Sequence, residues 1–261
     1  MITAASRALG KWTRQHGLSG FLLSEGNSKI GKIHSFSLPA GHTCPGRTEA
    51  CESVCYAKRG RYRTPTIKNA LGRSMEAVKS ALFVMWMLFE IGVRRVRTLR
   101  IHVSGDFYSA AYARRWTAIV RRAPDVTFYL YTRSWRVPEI RKVLDQLSEL
   151  PNVRVWYSVD RDTGRPTHLP KRVRLAYLQL EETERVPGWV DLVFRDTRAR
   201  KGKAIRINGV LVCPMENGKN WHGGCDKCTL CIADLSVKDP RKFKKRPEPE
   251  EKGRVPLRLV G

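Results

Sequence analysis

Acidic residues are scarce in this sequence. Its 24 Asp and Glu stand against 49 Lys and Arg, a formal net charge of +25. A field of that sign attracts polyanions and speeds encounter with them. Nucleic acid is therefore the expected partner, with an anionic membrane surface as the lesser alternative. Long apolar runs are also missing. No stretch reaches the eighteen or so apolar residues that a spanning helix requires, so no membrane insertion is expected. The N-terminal stretch MITAASRALGKWTRQHG lacks the apolar centre of a secretory signal. It is basic enough for a mitochondrial presequence, but a short arm is the simpler reading. The cysteine complement is not even: there are seven, locally clustered. Odd number, clustering and lack of a signal argue against a disulfide framework and for metal ligation in a reducing compartment, here the cytoplasm. No internal repeat is found.

The basic residues are mostly Arg and fall in clusters such as Arg59-Gly60-Arg61-Tyr62-Arg63. Arg binds phosphate bidentately and stacks on bases, and Tyr56 and Tyr62 add stacking faces. The competing explanation is a high-GC genome that favours Arg, with the charge serving solubility alone. The hydrophobic share of 42% is enough for a packed core.

Four segments are expected along the chain: a basic arm over 1–25, an α/β body over 26–212, a cysteine-rich module over 213–237 and a charged, Pro-containing tail over 238–261. Residues 30–38 alternate and end at Pro39, which predicts a first strand. Thr64 and Pro65 then open a helix whose apolar stripe (Ile67, Leu71, Met75, Val78, Leu82, Met85, Phe89) runs to Gly92 and faces the core. Strands are predicted over 98–103, 126–131 and 153–158. They are separated by helices that begin at Ser109 and at Val137. Repeated strand–helix–strand units imply parallel pairing. Further strands are expected over 172–180, 190–194 and 210–212, although the connection near 181–189 is short for a helical crossover. The expected fold is α/β, a partial (β/α)6-type parallel barrel with a C-terminal cysteine-rich cluster module. A flat doubly wound sheet is the alternative.

The first cysteine group, Cys44-x6-Cys51-x3-Cys55, lies in the loop after the first strand. Three thiolates on a [4Fe-4S] cluster leave one iron open to substrate or cofactor, as three-ligand zinc sites leave a fourth position open. Zinc held by the three cysteines with His42 or His34 is the alternative. The second group, Cys213-x11-Cys225-x2-Cys228-x2-Cys231, offers four ligands with ferredoxin-like spacing. It suits a closed [4Fe-4S] cluster, with a four-cysteine zinc site as the alternative. Gly223 and Gly224 allow close backbone approach there, and His222 is expected beside the ligands rather than among them.

Parallel α/β folds bind ligands at the carboxyl ends of their strands. Three predicted strands end in polar residues: Ser104-Gly105-Asp106, Thr132-Arg133-Ser134 and Ser158-Val159-Asp160. Ser104, Gly105, Asp106, Thr132, Ser158 and Asp160 are therefore candidate cofactor-binding residues, and Asp106 is the candidate catalytic one. Gly105 is read as leaving room for a ligand against the backbone. The competing view is that Ser109, Ser134 and Asp160 are ordinary caps and turn residues.

The segments Asn27-Ser28-Lys29, SFSLPAGHTCPG and Cys51-x3-Cys55-Tyr56-Ala57, followed by HVSGDF, LYTRSW and WYSVD, resemble the phage and prophage gene product 88 family over about residues 26–232. More remotely, the layout resembles radical S-adenosylmethionine enzymes. That resemblance implies that Cys44, Cys51 and Cys55 hold a reactive cluster, that Gly105-Asp106 meets the amino group of S-adenosylmethionine, and that the second group holds an auxiliary cluster. It also implies an electron donor as partner. The cysteine spacing here differs from that family's, Ser-Gly-Asp replaces its Gly-Gly-Glu, and one crossover is absent. Three functions follow as expectations: a radical enzyme acting on nucleic acid, a nucleic-acid-binding protein with structural metal sites, or a nuclease using Asp106, Asp160, Asp191 and Asp196.

Overall fold

The computed structural model describes residues 4–16, 20–27, 29–216 and 224–233. The expected tail over 238–261, together with His222 and Gly223, lies outside the described residues.

Helix α1 spans Ala4–Gln15, where an arm was expected. A short strand β1 (Ser24–Asn27) pairs antiparallel with β2 (Gly31–Phe36). The first cysteine loop follows and contains a one-turn helix α2 (Glu49–Ser53). The single long helix predicted from Thr64 to Gly92 is two helices, α3 (Pro65–Ala77) and α4 (Phe83–Val93). Between them Ser80 Oγ accepts from the amide of Leu82 at 3.1 Å, the kind of local serine bond that competes with a helix ladder. The break shifts the helical phase, so the inward side of α4 is Phe83, Trp86, Met87, Glu90 and Ile91, while Met85 of the predicted stripe is exposed. Thr64 precedes α3 without capping it through its side chain; its hydroxyl donates to the carbonyl of Arg61 instead.

The regular part follows: β3 (Thr98–Ile101), α5 (Ala110–Arg122), β4 (Thr127–Thr132), α6 (Pro138–Ser148), β5 (Val153–Val159), β6 (Arg174–Gln179), β7 (Leu192–Arg195), β8 (Arg206–Ile207), β9 (Val210–Val212) and a one-turn helix α7 (Cys225–Cys228). Ser109 caps α5 as expected, accepting from the amide of Tyr112. The strands form one nine-stranded sheet in the order β1-β2-β3-β4-β5-β6-β7-β9-β8. From β2 through β7 to β9 every pairing is parallel, and only the two edges are antiparallel. From β1 to β7 the strands enter in chain order without reversal, and only β9 and β8 exchange places at the far edge. The doubly wound alternative, which needs a reversal point, is therefore corrected. The connections β5–β6 and β6–β7 contain no helix, so the pattern of alternating helices stops after α6.

Crossovers between parallel strands share one hand, so an in-order sheet puts its helices on one face. Helices α4, α5 and α6 lie side by side there. The main core fills that side, with Phe36, Leu99, Ile101, Phe128, Leu130, Val155 and Tyr157 facing Phe83, Trp116, Ile119 and Leu144. Strand residues alternate between faces. The other face therefore carries Ile33, Tyr129, Tyr131, Trp156, Ala176, Leu192 and Phe194. It is covered in part by the second cysteine segment: Leu230, Ile232, Cys225, Cys228 and Cys231 pack on it.

Candidate metal centre

The first cysteine loop is stitched to the carboxyl ends of β3, β4 and β5. Thr48 caps α2 by accepting from the amide of Cys51, and its hydroxyl donates to Asp160 Oδ2 at 2.7 Å. Arg133 donates to the same oxygen through Nε at 3.1 Å and Nη2 at 2.9 Å. The amide of Ala50 donates to Asp162 at 2.8 Å. The loop beyond β2 is thereby held against the ends of β4 and β5, although the two lie far apart in sequence. Cys51 lies within electrostatic range of Arg133, Asp160, Asp106 and Cys55, and Cys44 within range of Asp106 and Cys51. Three free thiols and the predicted strand-end residues thus share one end of the sheet. Burial pushes the Cys44 thiol up to about 11 and raises Cys51 as well, although Arg133 opposes the shift at Cys51.

The expected cofactor-binding residues are deeply involved in the protein's own bonding. Asp106 is buried and accepts four hydrogen bonds: from Thr132 Oγ1 at 2.6 Å and from the amides of Phe107, Arg133 and Ser134 at 2.8, 2.8 and 3.2 Å. Burial pushes its pKa above the ordinary value, and these donors hold it down. Its geometry is that of a positioning residue that ties the end of β3 to the end of β4. Ser104 donates to the carbonyl of Leu38 at 2.8 Å. Gly105 has φ +75°, and the space beside its Cα, read from sequence as room for a ligand, is taken by Leu38 and Thr43. Thr132 is the donor to Asp106 just described, the carbonyl of Ser158 accepts from Trp135 Nε1, and Asp160 receives Thr48 and Arg133. The four nuclease candidates are not gathered: Asp191 accepts from the amide of Leu175, and Asp196 caps a short turn through the amide of Arg198.

The second cysteine group lies on the helix-free face. The amide of Cys225 donates to the carbonyl of Lys29 at 3.0 Å, which anchors α7 beside the start of β2. Trp156 Nε1 donates to the carbonyl of Cys231 at 3.1 Å. Cys213 closes β9, and the turn after it is held through Glu216, which pairs with Lys29 at 2.7 Å and accepts from the amide of Arg195 at 2.6 Å. Cys225, Cys228 and Cys231 lie within electrostatic range of one another, and Cys213 within range of Cys231. Burial raises Cys213 and Cys225 and pushes Cys231 up to about 12. Among the described residues, no group of three or more His, Cys, Asp or Glu is arranged to hold a metal ion.

Around this second group Arg100 Nε and Asp226 Oδ1 are buried with no hydrogen-bond partner among the described residues, while the Tyr129 hydroxyl lies beside Arg100 and the Tyr131 hydroxyl beside Cys231. Arg100 lies over the rings of Tyr129 and Tyr131. Sequence reasoning missed this residue; the signal available was an Arg between the core-facing Leu99 and Ile101 of a short parallel strand, hence on the opposite face. The guanidinium is also within electrostatic range of Tyr56, which follows Cys55 and packs on Tyr62. Arg100 is thus within electrostatic range of Tyr56, beside the first cysteine group, and of Cys225 in the second.

No helix among the described residues is long and apolar enough to cross a membrane. A family model described as "Gene product 88" matches residues 5–234. Among curated proteins, the Gene 88 protein of Mycobacterium phage L5 is 29% identical over 226 residues, and that of Mycobacterium phage D29 is 26% identical over 228. Each alignment covers 79% of this chain and 86% of the phage protein. No solved structure matches.

Proposed function

The chain belongs to the Gene product 88 family, and from that premise and the cysteine geometry we propose that it is an iron–sulfur protein with a reactive and an auxiliary [4Fe-4S] cluster, acting as a radical S-adenosylmethionine-like enzyme on nucleic acid. The observation that carries the reading is the three-thiol loop at the carboxyl end of the first parallel strand of an in-order sheet. That is where a partial (β/α) barrel puts its chemistry. Cys44, Cys51 and Cys55 would hold the reactive cluster and leave one iron open. Cys213, Cys225, Cys228 and Cys231 would hold the closed one. The x2 spacing of Cys225, Cys228 and Cys231 is the argument for a cluster, with a four-cysteine zinc site as the alternative there. Held by Cys44, Cys51 and Cys55 and given one electron from a donor protein, such a cluster would supply reductive cleavage of S-adenosylmethionine and so hydrogen-atom abstraction from the substrate. Asp106, Asp160, Thr48 and Arg133 would keep the cysteine loop fixed against the strand ends. The exposed basic run from Lys58 to Arg63, just beyond Cys55, would meet the phosphates of the substrate.

The test is an anaerobic count of iron and acid-labile sulfide with an absorption spectrum, with and without S-adenosylmethionine. Reduced protein is expected to release 5′-deoxyadenosine, and Cys51→Ala to abolish that release. Reconstituted protein that never forms it overturns the enzymatic reading. One observation favours a second reading, a basic nucleic-acid-binding protein with structural iron–sulfur or zinc sites: the polar strand-end groups are already consumed by internal hydrogen bonds. Zinc after aerobic preparation, with salt-sensitive binding and no turnover, would establish it.

A further inference from the structure

The first cysteine loop leads into an aromatic ring that is both exposed and fixed. Tyr56, the residue after Cys55, is 55% exposed. A lone exposed aromatic side chain is ordinary on a protein surface. This one is held at two points. Its hydroxyl donates to the carbonyl of Val103, just past the end of β3, and its ring meets that of Tyr62 edge-on, with 5.8 Å between centroids and 62° between planes. Two short 3₁₀ turns, Tyr56–Lys58 and Gly60–Arg63, carry the two rings. A ring already held in place loses little freedom when something stacks on it, so the entropy cost of binding there is small. The surroundings of the ring select a partner. Arg59, Arg61 and Arg63 are exposed along the same turns. The acidic neighbour Glu52 is paired with Arg47 and Lys58, so its charge is matched locally. Arg59 donates to the carbonyl of Ser53 and keeps its charge, since a guanidinium does not lose its proton. A fixed π face bordered by guanidinium groups suits a ligand that carries flat rings and phosphates together. In a duplex the faces of the bases are closed by stacking, and only their edges show in the grooves. In single strands, loops and ends the faces are open.

We propose that Tyr56 is the platform on which an unpaired base of a nucleic acid stacks, with Arg59, Arg61 and Arg63 on the flanking phosphates, so that the strand bound beside the first cysteine loop is single. This rests on the nucleic-acid part of the reading above and narrows it. Charge alone attracts both strand states, because both carry phosphates. The ring adds a contact that only an unpaired base can make. Tyr56 adjoins Cys55 in the chain, so the stacked base lies next to the three-thiol loop.

The experiment is a fluorescence-anisotropy titration of the full chain at one fixed salt concentration. The probe is a labelled oligonucleotide of mixed sequence, made as DNA and as RNA, each free and annealed to its complement. The parent is expected to bind the single strand more tightly than the duplex in at least one of the two chemistries. Tyr56→Ala is expected to weaken single-strand binding about tenfold, the effect of losing one stacked base, and to leave duplex binding unchanged. Tyr56→Phe, which keeps the ring and loses the hydroxyl, is expected to stay near the parent. A parent without preference for the single strand overturns the platform, and so does a Tyr56→Ala variant that binds the single strand like the parent; both leave the nucleic-acid reading intact. A parent that binds neither form overturns that reading itself. Should Tyr56→Ala weaken both forms alike, Tyr56→Phe decides: a retained single-strand preference supports the ring as the platform, and its loss refutes it.

Discussion

Asp106 spends both its oxygens on four donors from β4 and its own turn. Asp106→Asn keeps the shape but turns an NH2 toward at least one of those donors. We expect a loss of about 3 kcal/mol in denaturant unfolding, from broken charge-assisted bonds and orphaned amides. An unchanged midpoint would free Asp106 for a different role. His102, four residues earlier, is buried with Nε2 at 2.8 Å from the Tyr112 hydroxyl and Nδ1 unpartnered. Burial, aided by Arg100, pushes its pKa from 6.5 to about 3. The folded state therefore keeps the ring neutral, while the unfolded chain protonates it. Stability from this group is complete above pH 6.5 and is lost as pH falls toward 3, by at most about 1.4 kcal/mol per pH unit. His102 has φ +62°, which Asn tolerates. His102→Asn should flatten the acid limb of a stability–pH curve between pH 6.5 and 4; an identical limb would assign that slope to other groups. Neither role was legible in sequence, since the partners of both residues lie on other elements.

At the scale of elements, periodicity found β2 to β7, β9, α5 and α6, because each has one buried and one exposed side or a continuous apolar run. It misjudged the stretch from Thr64 to Gly92, because an apolar stripe carries no mark of a break whose cause is a serine side chain. It also missed Glu90, a buried carboxylate inside an apolar helix that accepts from the amides of Leu22 and Leu23 at 3.0 and 2.9 Å. Docking of α7 depends on glycine. Gly31 has φ +67°, and a Cβ there would lie 1.9 Å from Asp226 Oδ1. Gly31→Ala is expected to lift α7 from β2 and expose residues 224–233 to faster limited proteolysis, with less iron bound per chain after reconstitution. Proteolysis at the parent rate would show that the segment docks by other contacts.

For the whole molecule, the charge of +25 is a statement about partners rather than fold. If the proposed nucleic-acid contact involves about five phosphates, log K against log salt should fall with a slope of about −4.5 on duplex DNA. Filter binding across a salt series checks this, and salt-independent or absent binding would leave solubility as the use of the charge. What the sequence by itself determined is the order of elements from β3 to β7, the parallel α/β class, the family resemblance and the grouping of seven cysteines into three and four. Those features are local, carried by spacing and periodicity along the chain. Only the tertiary structure decided that the four-cysteine segment packs on the helix-free face, that the strand-end carboxylates are bound internally, and that Arg100 lies over the rings of Tyr129 and Tyr131. Such pairings join residues far apart in sequence, such as Cys225 with Lys29 and Thr48 with Asp160. They exist because in-order parallel strands bring successive loops to one end and alternate side chains to one face, which no local pattern records.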